Sequence, residues 1–140
     1  MDSIKEFKDK YRFLSNFYPV KVMFEWIEFP TVEHAFQAAK TTDIGRRKWM
    51  ALAESPADAK RSGRRLSIRP DWEQIKLKVM EDLVRQKFSK EPLRTQLLET
   101  GDAELIEGNE WGDTFWGVCK GRGENWLGKI LMMIRDEVGR

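Results

Sequence analysis

Cysteine and histidine occur once each in this 140-residue chain, as Cys119 and His34. One cysteine excludes an internal disulfide, and beside a single imidazole it excludes the paired Cys/His spacings of a zinc site. No His-Glu-x-x-His pattern and no Walker-type phosphate loop is present. Gly121-Arg122-Gly123-Glu124-Asn125-Trp126 matches only the opening of a dinucleotide fingerprint, with Gly128 off position and no βαβ pattern before it. No apolar run approaches the ~18 residues of a membrane span. Met1-Asp2-Ser3-Ile4-Lys5-Glu6 lacks the charged-then-apolar pattern of a secretory signal. An excess of charge of one sign is also missing: 25 Lys and Arg stand against 23 Asp and Glu, a formal net charge of +2. That balance does not by itself argue for nucleic-acid binding. The absences point to a cytoplasmic protein that uses no metal and no cofactor and meets no membrane.

What is present is a foldable composition, 41% hydrophobic and 34% charged, with neither repeat nor linker, so residues 1–140 read as one domain. Residues 7–30 read as extended and turning, and Val20 to Phe29 as a small hairpin whose turn chemistry, Glu25-Trp26, is poor. Helices dominate from Thr31 onward. Thr31 reads as an N-cap, a second helix lies near Arg46 to Ala53, and Ser55-Pro56 opens a short helix that Gly63 closes. Asp71 with Gln74 gives a capping-box-like start to the longest helix, ending near Phe88. Pro92 opens another helix, which Gly101 ends, and Asn125 caps the last. Leu105 to Arg122, rich in glycine, acid and tryptophan, reads as a loop. The fold expected is α+β, mostly α-helical, with five to six helices and a minor N-terminal hairpin.

The pattern most suggestive of chemistry is Glu33, Gln37 and Lys40. At about 100° per residue they share one line of the helix after Thr31, with Glu33 and Lys40 about 10 Å apart along the axis. Opposite lies an apolar arc of Val32, Ala35, Phe36 and Ala39. An acid and an amine at that separation can bracket a small molecule; a solvated helix face produces the same pattern. A carboxylate can move a proton to a leaving group or stabilise a cationic sugar. A lysine becomes a nucleophile when burial or nearby cations lower its pKa, and Arg46 or Arg47 are the neighbours expected to do so for Lys40. Attack on the C1 of an open-chain ribose gives a Schiff base, and direct hydrolysis is the alternative. His34, on the flank of its helix, reads as a structural, hydrogen-bonded histidine. Basic residues gather at Arg46-Arg47-Lys48 and at Lys60, Arg61, Arg64, Arg65 and Arg69, where guanidinium forks suit phosphate oxygens. Six tryptophans offer core packing or stacking platforms for a base.

Several stretches in order resemble the NADAR family. They are Phe13-Leu14-Ser15-Asn16-Phe17-Tyr18-Pro19, Phe29-Pro30-Thr31-Val32-Glu33-His34-Ala35-Phe36-Gln37-Ala38-Ala39-Lys40, Ala57-Asp58-Ala59-Lys60 with Gly63-Arg64, Asp71-Trp72, Leu98-Glu99-Thr100-Gly101-Asp102, Asp113-Thr114-Phe115-Trp116-Gly117 and Gly123-Glu124-Asn125-Trp126-Leu127-Gly128. The resemblance runs from about Tyr11 to Arg135. It implies an α+β N-glycosidase that cleaves a bond between a ribose C1 and a nitrogen. The implied substrates are phosphoribosylamino-pyrimidine intermediates of riboflavin synthesis, or ADP-ribosylated guanine in nucleic acid. Carried over by motif, Lys40 engages C1, Glu33 handles protons and Asp113 orients groups or stabilises charge. Trp72, Trp111 or Trp116 stacks on the base, and Asn16, Arg64 and Asn125 hold hydroxyl or phosphate groups. Two positions depart from the pattern: Trp26 stands in the hairpin turn where many members carry glycine, altering the rim of the site, and Cys119 stands where glycine is common.

Two readings compete with the enzyme. One is a module that binds ADP-ribose or a related nucleotide without turnover, though bare binding would tolerate Gln or Arg at the acid and the lysine. The other is a basic nucleic-acid-binding domain with stacking tryptophans, recognisable by steep salt dependence.

Overall fold

Threonine, aspartate and serine set the helix starts in the computed structural model, which describes residues 2–140. Packing divides the chain into two compact units, Asn16–Lys87 and a second made of the segment up to Ser15 with Phe88–Arg140. Among the described residues there are six α-helices, one 3-10 helix and six short strands. The chain is therefore α+β with helix dominant.

In Asn16–Lys87 a two-stranded antiparallel hairpin comes first. Strands β2 (Val22–Phe24) and β3 (Ile27–Phe29) follow the two-residue strand β1 (Ser3–Ile4) of the other unit, and pair Val22 with Phe29, Met23 with Glu28 and Phe24 with Ile27. Helix α1 (Val32–Ala38) is capped by the Thr31 hydroxyl, which accepts from the His34 N–H. Asp43 caps α2 (Ile44–Ala51) through the Arg46 N–H, and Ser55 caps α3 (Pro56–Gly63) through the Asp58 N–H, with proline in the first turn. Helix α4 (Trp72–Lys87) is the longest. Helix α1 packs against α2, α3, α4 and both hairpin strands. Its sides are therefore covered all round, and Val32, Ala35 and Ala38 have no exposed surface.

The other unit holds β1, a 3-10 helix at Asp9–Leu14, α5 (Leu93–Leu98), β4 (Glu104–Leu105), β5 (Gly108–Asn109), β6 (Val118–Cys119) and α6 (Trp126–Val138). Strand β4 pairs in parallel with β1, and β5 with β6, while α6 packs on α5 and β4.

Four local expectations change. The 3-10 helix lies in a stretch read as extended, where Phe13 and Leu14 are buried without a helical period long enough to see. Two-residue strands sit inside the Leu105–Arg122 loop, too short to show an alternating pattern. The Asp71 carboxylate is taken by Arg69, at 2.7 and 3.1 Å, in place of the capping box expected with Gln74. Asn125 does occupy the N-cap of α6, but with left-handed backbone (φ 55°) and no side-chain bond to the helix.

Candidate active site

Helix α1 carries no solvated face. Thr31 through Ala39 are all buried, with Glu33 at 8% exposure and Gln37 at 5%. The reading of Glu33 and Gln37 as a solvated polar stripe is thereby overturned: neighbours cover the helix on every side, which the polar residues alone could not reveal. A carboxylate removed from water needs hydrogen bonds, and Gln37 Nε2 donates one to Glu33 Oε2 at 2.6 Å. The Glu33 N–H is held by the Asn16 carbonyl at 3.1 Å, so Asn16 positions the acid through its backbone. The Asn16 side-chain amide points to Met80 Sδ, 3.5 Å away.

Gln37 is fixed in turn by Gly63. A Cβ on Gly63 would lie 1.9 Å from Gln37 Oε1, so only glycine admits the amide there. This, and not a left-handed helix end, is why glycine closes α3. Gln37 Oε1 is buried and accepts no hydrogen bond from the described residues, which leaves the amide oriented by its donation to Glu33 and its packing on Gly63.

Lys40 lies beyond the helix. Helix α1 ends at Ala38, and the Lys40 N–H bonds the Gln37 carbonyl at 3.2 Å in a tightened last turn. The expected separation along a continuous helix therefore does not apply. The Lys40 carbonyl accepts from the Arg69 N–H at 2.8 Å, and its side chain is half-buried. Burial pushes the Lys40 ammonium below its ordinary pKa; Glu33 opposes this, and Arg64, Lys60 and Lys76 push it further down. The cations acting on Lys40 are these three rather than the expected Arg46 and Arg47. Arg47 is instead buried, at 2% exposure, donating to Glu25 at 2.6 Å and to the Thr41 carbonyl at 2.8 Å. Lys60 and Arg64 belong to the basic cluster read as phosphate-binding and are spaced to share one side of α3, whereas Lys76 went unnoticed in the sequence.

His34 is structural. Its Nε2–H donates to the Ala53 carbonyl at 3.0 Å, and Nδ1 accepts from the Thr31 hydroxyl at 2.8 Å. Trp72 belongs to the core, at 6% exposure with its ring centroid 5.0 Å from that of Phe36. That burial corrects its reading as a stacking platform. Arg64 is exposed at the C-cap of α3.

The other unit holds the remaining residues. Asp113 Oδ1 accepts from the N–H groups of Phe115 (3.1 Å) and Trp116 (2.9 Å), and so folds its own loop. Asn109 supports the same turn, donating to the Asp113 carbonyl at 2.9 Å and accepting from its N–H at 3.0 Å. Trp116 packs edge-on against Phe115, with centroids 4.8 Å apart, while Trp111 is 61% exposed. Asn125 is buried, its amide donating to the Leu105 carbonyl at 2.9 Å and accepting from the Glu107 N–H at 3.0 Å. Both polar ends of that side chain thus serve the backbone, which explains the asparagine without a ligand. Among the described residues no group of three or more His, Cys, Asp or Glu is placed to hold a metal ion. None of their helices is long and apolar enough to cross a membrane.

An acid buried and oriented beside a lysine with a depressed pKa, in a helix-dominated α+β chain, defines a candidate proton-transfer and nucleophile site. A profile of the NADAR domain matches residues 4–139, through both units, and the chain belongs to the NADAR family. It is 40% identical over 136 residues to the N-glycosidase YbiA of Escherichia coli, covering 93% of this chain and 83% of that protein. It is 41% identical over 134 residues to a riboflavin biosynthesis protein of Vibrio vulnificus, covering 93% of this chain but only 36% of that longer protein. The NMR structure of E. coli YbiA superposes with a TM-score of 0.85 at 36% identity, over 98% of this chain and 83% of the other.

Proposed function

We propose that this chain is an N-glycosidase that hydrolyses the bond between a ribose C1 and a nitrogen, with Lys40 as nucleophile and Glu33 as proton carrier. The class rests on relatives named N-glycosidase that align over most of the chain. The assignment of roles rests on one observation: Glu33, buried and held as an acceptor by Gln37, is electrostatically coupled to Lys40.

In the reaction, the neutral Lys40 amine adds to C1 of the ring-opened substrate in its protonated imine form, opening the C1=N double bond to give a diamine at C1. Glu33 takes the proton from Nζ and delivers it to the departing nitrogen as the C1–N bond breaks, which leaves a protonated Schiff base between Lys40 and the sugar. Water then adds to C1, giving its proton to Glu33. The C1–Nζ bond breaks with a proton returned to Lys40, releasing the free sugar. One water is consumed for each amine and sugar formed.

Arg64, Lys60 and Lys76, which surround Lys40 electrically, suit a phosphate on the sugar. The preferred substrate is a phosphoribosylamino-pyrimidine, in keeping with relatives named for riboflavin biosynthesis. The same cations suit the diphosphate of an ADP-ribosyl group on guanine, the second substrate to be tested. Trp111 and Trp116 lie in the other unit, on a loop that Asp113 holds in shape. A location in the cytoplasm fits such substrates.

A mass-spectrometric panel tests the reading, with wild type and Lys40→Ala run against the phosphoribosylamino-pyrimidine, ADP-ribose, NAD and DNA carrying ADP-ribosylated guanine. Sugar release from one substrate, lost in the variant, supports it. No turnover combined with thermal stabilisation by ADP-ribose points instead to a nucleotide-binding module.

A further inference from the structure

We propose that Trp26 is a specificity-determining residue, its indole at the hairpin tip stacking on the flat heteroaromatic base of the substrate whose sugar is held at Lys40. This inference rests on the glycosidase reading and adds to it the means by which a base-bearing substrate is preferred over a bare sugar phosphate.

The hairpin turn consists of Glu25 and Trp26, both with left-handed backbone, at φ 45° and 76°. A two-residue turn of this kind favours Asn-Gly or Gly-Gly, because side chains at positive φ meet the backbone. Neither residue fits that preference, and packing gives nothing in return, since Trp26 is 95% exposed. Strain kept in a fold without a packing gain concentrates at working surfaces.

The strained tip is also fastened. Glu25 accepts from Arg47 at 2.6 Å; Arg47 is buried, donates to the Thr41 carbonyl at 2.8 Å and lies over the Phe24 ring at 4.9 Å. On a second route Arg69 is within electrostatic reach of Glu25, and its N–H bonds the Lys40 carbonyl. Both routes end on the two residues Lys40 and Thr41. The backbone of the tip, which carries the indole, is thus tied to the segment that carries the nucleophile. Every base offers a π-face to an indole, so the site needs no further hydrogen-bonding group to gain from stacking.

Trp26→Gly is the informative variant, because glycine relieves the positive φ and the hairpin keeps its turn. The proposal predicts an unchanged or higher Tm together with a KM for the phosphoribosylamino-pyrimidine raised about tenfold, the size of one stacked base. The loss in kcat is smaller, and Trp26→Phe restores most of the KM. Ribose 5-phosphate, which has no base, should bind wild type and Trp26→Gly equally, whereas ADP-ribose should bind the variant about tenfold more weakly. An unchanged KM in a wild type that turns over, or equal ADP-ribose affinity in both proteins, overturns the proposal. Absence of any turnover in wild type overturns the glycosidase reading instead, and the ADP-ribose titration then judges Trp26 alone.

Discussion

Gln37 Nε2 donates to Glu33 Oε2 across one turn of α1, at 2.6 Å, in a helix that is buried on every side. The amide that makes this bond is wedged against the Cα of Gly63, where a Cβ would fall 1.9 Å from Oε1. Acid orientation and helix packing are therefore one arrangement. Gly63→Ala should cost about 1–3 kcal/mol of stability by overpacking and lower kcat as Gln37 is pushed off Glu33. In a Gln37→Ala background the same substitution should cost little stability. Denaturant melts of the four proteins in this cycle check the coupling, and additive costs would contradict it.

In the proposed mechanism Lys40 acts as a neutral amine, so kcat should rise with pH through its pKa, which burial first and then Arg64, Lys60 and Lys76 hold down. Arg64→Gln removes one of those cations. The rising limb of the kcat–pH profile should then move to higher pH, accompanied by a higher KM for a phosphorylated substrate. A limb moving to lower pH would contradict the electrostatics.

Lys87 gives a separate pH signature, in stability. It is 1% exposed, lies 5.7 Å over the Tyr18 ring, and burial pushes its pKa down from 10.5 to about 7. In the interval from about 7 to 10.5 the unfolded chain holds more of this proton than the folded one, so the contribution of Lys87 makes stability rise with pH there. Below that interval the charge must be carried in the interior. Lys87→Met should flatten the slope and raise stability near neutral pH by about 1–4 kcal/mol. Chemical denaturation across the pH range, wild type against variant, checks the sign.

Asp113 binds the N–H groups of Phe115 and Trp116 with one oxygen. Asp113→Asn keeps that acceptor and should retain most stability and rate. Asp113→Ala leaves two amides without it and should cost about 1–2 kcal/mol, read as a lower melting temperature. A large kcat loss in Asp113→Asn with an unchanged melt would assign the carboxylate charge to the chemistry itself.

Helix starts were legible because caps are local: Thr31, Ser55 and Pro92 mark them by residue type, and the hairpin was legible from its flanking β-formers. The family pattern picked out Glu33 and Lys40. Their environment was not legible, because the covering of α1 comes from residues distant in sequence, and a buried acid looks like a surface acid in a one-dimensional pattern. Trp72 failed as a stacking platform for the same reason, its ring being spent on Phe36. Asn125 looked like a ligand-binding or capping amide, and only the fold shows both its ends taken by Leu105 and Glu107. Gly63 read as a helix terminator; its contact with Gln37 could not be inferred from spacing.

The central claim is covalent participation of Lys40. Borohydride added during turnover of the phosphoribosylamino-pyrimidine reduces a Schiff base to a stable amine, and peptide mass spectrometry locates it. A phosphoribosyl adduct on Lys40, absent without substrate and absent in Lys40→Ala together with the activity, is the result predicted. Sustained hydrolysis with no adduct, and with most of the rate retained in Lys40→Ala, would contradict it.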